Sequence, residues 1–165
     1  MDKFYSITEE TMKTVGPILF ITAAGGVLGK VITAAGFVDF IKQNAAFLAS
    51  VGIFFPFVIS AILKTAQGSS TVAITTTAGI MGMYSDPASM MSALGLTSPT
   101  AALLTVMAIG AGAMTVSHAN DSYFWVVTNF SGMTPQGGYR TQTMMTLVVG
   151  IASILSIFVA SLVLL

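Results

Sequence analysis

The chain has no cysteine and a single histidine. The missing thiol excludes disulfides, thiolate metal sites and thiol catalysis. One histidine among scattered acids lacks the ligand spacing of a metal site, and neither metal nor cofactor is expected. Charge is nearly as scarce. Only 7% of residues are Asp, Glu, Lys or Arg, against about 25% in an ordinary soluble domain, too few to dress a surface in water. The formal net charge is zero, so nothing points to nucleic acid or to a basic lipid-binding patch. Residues Met1 to Met12 are polar and acidic, without a signal-peptide pattern or an N-terminal Gly lipidation signal.

What is present is apolar: 55% hydrophobic residues and a mean hydropathy of +0.89 mark an integral membrane protein. A helix crossing about 30 Å of hydrocarbon needs about 20 residues, so the chain holds about four or five spans. The expected fold is one all-α transmembrane domain over residues 1–165. It is a multi-span helical bundle with broken or re-entrant helices, behind a polar lead at 1–13.

The first apolar run, Val15 to Phe37, carries a small-residue face (Ala23, Ala24, Gly25, Gly26, Gly29) suited to close helix approach. Lys30 within it reads as a cation snorkelling to an interface. A polar link, Val38 to Asn44, precedes a second run, Ala45 to Leu63, which Pro56 is expected to kink. A helix-capable stretch covers Thr71 to Met83, and a loop follows from Tyr84 to Ser98 with Asp86-Pro87 as its turn signal. Pro99 opens the next helix, which runs to about Ala113. Tyr123 to Phe130 reads as a short amphipathic continuation with Trp125 at an interface. Ser131 to Thr141 is expected as an aqueous link, and Thr143 to Leu165 as the final span.

Two readings of topology remain. If Ala45 to Met83 is a re-entrant hairpin, Lys3, Lys13 and Arg140 share one face, against Lys42 on the other. If it crosses straight through, the count is even. The positive-inside rule favours the hairpin, with a cytoplasmic N-terminus and an external C-terminus.

Two clusters of small polar residues interrupt the apolar runs: Lys64-Thr65-Ala66-Gln67-Gly68-Ser69-Ser70-Thr71, and Ser117-His118-Ala119-Asn120-Asp121-Ser122. In lipid an unsatisfied polar group costs several kcal/mol, so such breaks persist only where they are buried in protein or line a wet cavity. In the first cluster, Gly68 permits a non-helical backbone and Ser or Thr caps the helix that restarts. The free N–H groups and positive dipole end of that helix form a seat for a carboxylate. Lys64 either attracts the anion at the cavity mouth or snorkels. Thr75, Thr76 and Thr77 read as a packing patch. In the second cluster, His118 and Asp121 are ionisable groups at membrane depth, a functional hypothesis by default. Either could take up a proton on one face and release it on the other. Alternatively, His118 is a neutral helix break and Asp121 a cap for Tyr123-Phe124-Trp125; His118 is open to both readings. Broken helices that meet near the midplane are an arrangement of secondary transporters.

Lys64-Thr65-Ala66-Gln67-Gly68-Ser69-Ser70-Thr71-Val72-Ala73 and Ser117-His118-Ala119-Asn120-Asp121-Ser122-Tyr123-Phe124-Trp125 resemble two signature stretches of the gluconate permease family. Ala23-Ala24-Gly25-Gly26-Val27-Leu28-Gly29-Lys30-Val31 resembles a third, with a thinner glycine run. The resemblance covers nearly the whole chain. It implies a proton-coupled symporter in the cell (inner) membrane for gluconate or a related small hydroxy carboxylate, some members carrying D-serine. It also implies an ion-transporter-superfamily fold of two inverted repeats, each with a hairpin and a broken helix. Family members are more than twice this length, and the match is to the C-terminal half alone. The expected partners are therefore the lipid bilayer, a small carboxylate with protons, and a separate N-terminal half or a second copy.

The expected substrate-binding residues are Gln67, Gly68, Ser69, Ser70 and Thr71, with Ser117, Asn120 and Ser122 recognising hydroxyls. Asp121 and His118 are the expected proton-coupling residues. A non-transporting fragment or assembly subunit is the alternative. An intramembrane serine hydrolase using Ser69 or Ser70 with His118 lacks a nucleophile-elbow context. A channel lacks the repeated charged or carbonyl rings. The protein is not expected to be an enzyme.

Overall fold

The computed structural model describes residues 3–13, 31, 35–36, 51–87 and 89–165. The small-residue face at 23–29, Lys30, the link at 38–44 and the start of the second apolar run lie outside the described residues. Among the described residues the fold is helical, without strands. An exposed helix, α1, spans 3–13. Then come α2 (Phe54–Gln67), α3 (Ser70–Met81), a single turn α4 (Met90–Ala93), α5 (Pro99–Met114) and α6 (Ser122–Phe130). The last helix, α7, is continuous from Pro135 to Leu164. It begins inside the stretch expected as an aqueous link, and after one α-helical turn it passes through a π-helical turn at Tyr139–Thr143.

Short polar side chains set where these helices begin. Ser69, Ser89, Ser98, Asp121 and Thr134 each accept a hydrogen bond from a backbone N–H of the helix that follows. Pro99 and Pro135 then stand in first turns, where a missing N–H deprives the helix of nothing. Pro56 does the same. The chain turns at 51–53 and α2 starts at Phe54, so this proline sits in a first turn and does not kink a longer helix. The expected loop at Tyr84–Ser98 gains α4 because Ser89 caps it and buries Met90 and Met91.

α2 and α3 form a hairpin. α2 and α5 both run toward the breaks at Gly68 and at 115–121, where Gly68 abuts Asn120. At the other end, Ile53 and Phe55 share one apolar cluster with Met81 of α3, Met90, Met91 and Leu104 of α5. Such a cluster requires α3 to turn back. α7 returns antiparallel to α5: Thr146 bonds the second break, whereas Ile154 and Ile157 join the far cluster and Phe158 packs against Phe54 with tilted rings, centroids 5.0 Å apart. Close approach rests on glycine. A Cβ on Gly112 would lie 2.3 Å from the Phe57 carbonyl, and one on Gly150 would lie 2.0 Å from Thr115 Oγ1. Ser60, fully buried on α2, donates to the Ile109 carbonyl at 2.8 Å and ties the two helices together.

α7 is long and apolar enough to cross a membrane, and little of it is buried within the chain. Val148, Val149, Ile151, Leu155, Val159 and Leu162 are exposed along it, an apolar face that water would not tolerate.

Candidate functional site

The two helix breaks meet. α2 ends as Gly68 enters the left-handed region at φ +75°, and its N–H closes on the Lys64 carbonyl. A side chain there is excluded twice over, by conformation and by space, since a Cβ would fall 2.0 Å from the Asn120 carbonyl oxygen. Asn120 Nδ2 donates to the Thr65 carbonyl at 2.8 Å, and His118 Nε2 lies 3.2 Å from the same oxygen. A carbonyl left open at the end of α2 is thus satisfied by the second break.

The second break is held from behind by α7. Ser117 N–H donates to Thr146 Oγ1 at 2.9 Å, and Thr143 Oγ1 donates to the Ser117 carbonyl at 2.7 Å. Thr143 lies in the π-helical turn, whose wider winding is frequent at functional sites. Val116 takes a positive φ of 57°, a conformation that a β-branched residue adopts only under constraint.

Between the breaks lies a cavity of about 620 Å³. It is lined by Gln67, Gly68, Ser69, Ser70 and Thr71 from the first cluster and by Ser117, Asn120, Asp121 and Ser122 from the second. Lys64, Met114 and Tyr123 complete the wall. Of the residues expected from sequence to form a site, His118 alone does not line it; its imidazole faces the Thr65 carbonyl instead. Two helices begin at the cavity wall. In α3 the first intrahelical bond is Ala73 N–H to the Ser69 carbonyl, and Ser69 Oγ accepts from Val72 N–H at 3.3 Å. The N–H groups of Ser70 and Thr71 precede those bonds, at the positive end of the helix dipole. Gln67 brings a further donor: its Nε2 is buried and has no partner among the described residues.

At the base of the cavity Lys64 and Asp121 form a buried ion pair through Asp121 Oδ2, with side chains 1% and 5% exposed. The same oxygen accepts from Ser117 Oγ at 2.6 Å, while Oδ1 accepts from Tyr123 N–H at 3.0 Å and so caps α6. Lys64 Nζ also approaches the Gly68 carbonyl at 3.5 Å. Lys64 therefore neither snorkels nor guards the mouth; it is among the most completely buried large side chains of the protein. The sequence reading missed this pairing. The available signal was one cation four residues before the first break and one acid inside the second. Thr143 and Thr146 had no signal of their own, because threonines in an apolar helix are commonplace. Of the threonine patch, Thr76 and Thr77 are buried, whereas exposed Thr75 bonds back to the Thr71 carbonyl.

Taken together, these features define a helical membrane protein with a polar cavity where two interrupted helices meet. The sequence matches the family described as GntP family permease over residues 1–163, and the chain belongs to that family. Its fellow members are transport proteins and not enzymes. Among its relatives, an inner membrane permease of Escherichia coli (strain K12), YgbN, is 32% identical over 149 residues, covering 90% of this chain and 31% of the relative. A gluconate permease of Pseudomonas aeruginosa is 28% identical, covering 98% of this chain and 34% of its own length. The Gnt-II system L-idonate transporter of E. coli is 27% identical, with 95% and 34% covered. The chain spans about a third of the length of these relatives. No solved structure matches it at a significant level.

Proposed function

We propose that the chain forms part of a secondary active transporter that carries gluconate or a related small hydroxy carboxylate together with protons across the cell (inner) membrane. The observation that carries this reading is the cavity between the two breaks, with the α3 N-terminus and the orphaned Gln67 amide both able to donate to an anion. Serine and threonine hydroxyls around it supply donors without fixed charge, which suits a site that must also release its anion. Gln67, Gly68, Ser69, Ser70 and Thr71 bind the carboxylate end, Ser117, Asn120 and Ser122 the hydroxyls. Asp121 carries the coupling proton, with His118 as the other candidate. The names of the gluconate and L-idonate relatives support the substrate class.

The hairpin α2–α3 and the interrupted pair α5–α6 together form one repeat of an inverted-repeat transporter, within its C-terminal half. A separate N-terminal half or a second copy supplies the rest. The test is gluconate uptake into permease-deficient cells expressing this chain alone, then with a matching N-terminal half. Uptake by the chain alone that a protonophore abolishes makes it a symporter as an oligomer, and uptake only with the added half makes it a half-transporter. No uptake in either case, despite membrane insertion, overturns transport in favour of a non-transporting subunit.

A further inference from the structure

The Lys64–Asp121 pair is chemically neutral as a unit, buried, and in contact with the cavity. Two facts make it more than a structural bridge. Lys64 Nζ has its remaining contact at 3.5 Å, to the Gly68 carbonyl, so Asp121 is its one close partner among the described residues. Asp121, by contrast, keeps two other hydrogen bonds if the lysine leaves it, from Ser117 Oγ and Tyr123 N–H. An anion entering this pocket adds a negative charge that the closed pair cannot balance. In a poorly solvated site, states with an uncompensated charge are strongly disfavoured.

We propose that Lys64 joins the α3 N-terminus and Gln67 as a ligand of the substrate carboxylate, and that carboxylate and proton enter by exchange on the Lys64–Asp121 pair. The inference rests on the reading of the cavity as a carboxylate site. In the empty state Lys64 ammonium balances Asp121 carboxylate. In the loaded state a proton from the open side of the cavity sits on Asp121, and the freed ammonium holds the substrate carboxylate. One proton and one anion enter, no covalent bond changes except O–H at Asp121, and the cavity is neutral before and after. Release on the other face runs the same steps backward. Coupling then follows from charge balance: neither the anion nor the proton is accommodated alone. Among the described residues, the titratable groups facing Asp121 are Lys64 from α2 and Tyr123 of α6, with His118 three residues back turned toward Thr65.

The experiment is calorimetric titration of gluconate into the purified protein, in the form that supports uptake, in two buffers of different ionisation enthalpy near neutral pH. The single tryptophan, Trp125, donates at 2.7 Å to the Ala119 carbonyl within the second break and reports occupancy independently by fluorescence. Wild-type protein is expected to take up about one proton per gluconate bound. Asp121→Asn is expected to bind without proton uptake and with an affinity independent of pH. Lys64→Gln leaves a buried carboxylate unpaired and can fail to fold, so the decisive variant is Lys64→Gln with Asp121→Asn, which carries no net charge. Its affinity is expected to fall at least about tenfold below that of Asp121→Asn, the loss of one charge-assisted contact. Gluconate binding by the wild type without proton uptake overturns the exchange and leaves the carboxylate site standing. Equal affinity of the double and single variants overturns the role of Lys64. Proton uptake that survives Asp121→Asn but is lost in His118→Gln overturns it in favour of the histidine. No binding of gluconate or any hydroxy carboxylate by the wild type overturns the site and the exchange together.

Discussion

At the scale of single residues, the two breaks are held by contacts that leave little room for substitution. Gly68 combines a positive φ with a neighbour inside van der Waals distance. Gly68→Ala is therefore expected to separate the breaks, at a cost of about 1–3 kcal/mol from the strained backbone alone. A thermal melt in detergent checks this, and an unchanged midpoint would show that the close approach at Asn120 is dispensable. Thr146 serves the second break as acceptor for Ser117 N–H while donating to the Thr143 carbonyl. Thr146→Val keeps the shape and removes the acceptor, leaving a buried N–H unpaired. The expected loss is about 1–3 kcal/mol, with Thr146→Ser close to wild type. If valine and serine behave alike, the α7 contact is not what holds Ser117. Ser69 Oγ caps α3 at a long 3.3 Å. Ser69→Ala should thus cost little stability, about 0.5 kcal/mol at the low end of capping, yet raise the apparent substrate constant for uptake.

At the scale of elements, α7 poses the plainest question. Its 30 residues reach about 45 Å, longer than a hydrocarbon core of about 30 Å, so the π-turn end and its polar residues stand outside or the helix tilts. Ile154 faces the interior and Leu155 faces outward, 4% and 53% exposed. Leu155→Arg is expected to disfavour insertion by about 2.5–3.5 kcal/mol, a shift of more than tenfold in a glycosylation-based insertion assay. Ile154→Ala should leave insertion intact and destabilise the folded protein by about 2–5 kcal/mol. Equal behaviour of the two positions would mean that the outward face of α7 is covered by protein instead of lipid.

At the scale of the whole molecule, the hairpin dictates which ends share a side. The turn after α3 and the start of α5 lie at the end of the bundle away from the breaks, whereas the turn between α6 and α7 lies beyond the breaks. The absence of native cysteine makes this testable without background. Phe4→Cys and Phe130→Cys, both at exposed positions, are expected to react with an impermeant thiol reagent from the same side of the membrane. Labelling from opposite sides would discard the hairpin and restore a straight crossing.

The amino-acid sequence alone determined the membrane setting, the helical class and the two places where helices break. Each of these follows from local chemistry: hydropathy over about 20 residues, glycine at a left-handed position, and Ser, Thr or Asp before a helix. It also marked Asp121, because an acid between apolar runs is conspicuous by itself. The pairing of Asp121 with Lys64, 57 positions earlier in the chain, was decided only by the tertiary structure, as were the α7 threonines behind Ser117. A lysine in a helix presents the same local pattern whether it snorkels or is buried. What separates the two outcomes is whether an opposite charge waits at the end of its side chain, and that depends on how α2 and the second break pack together.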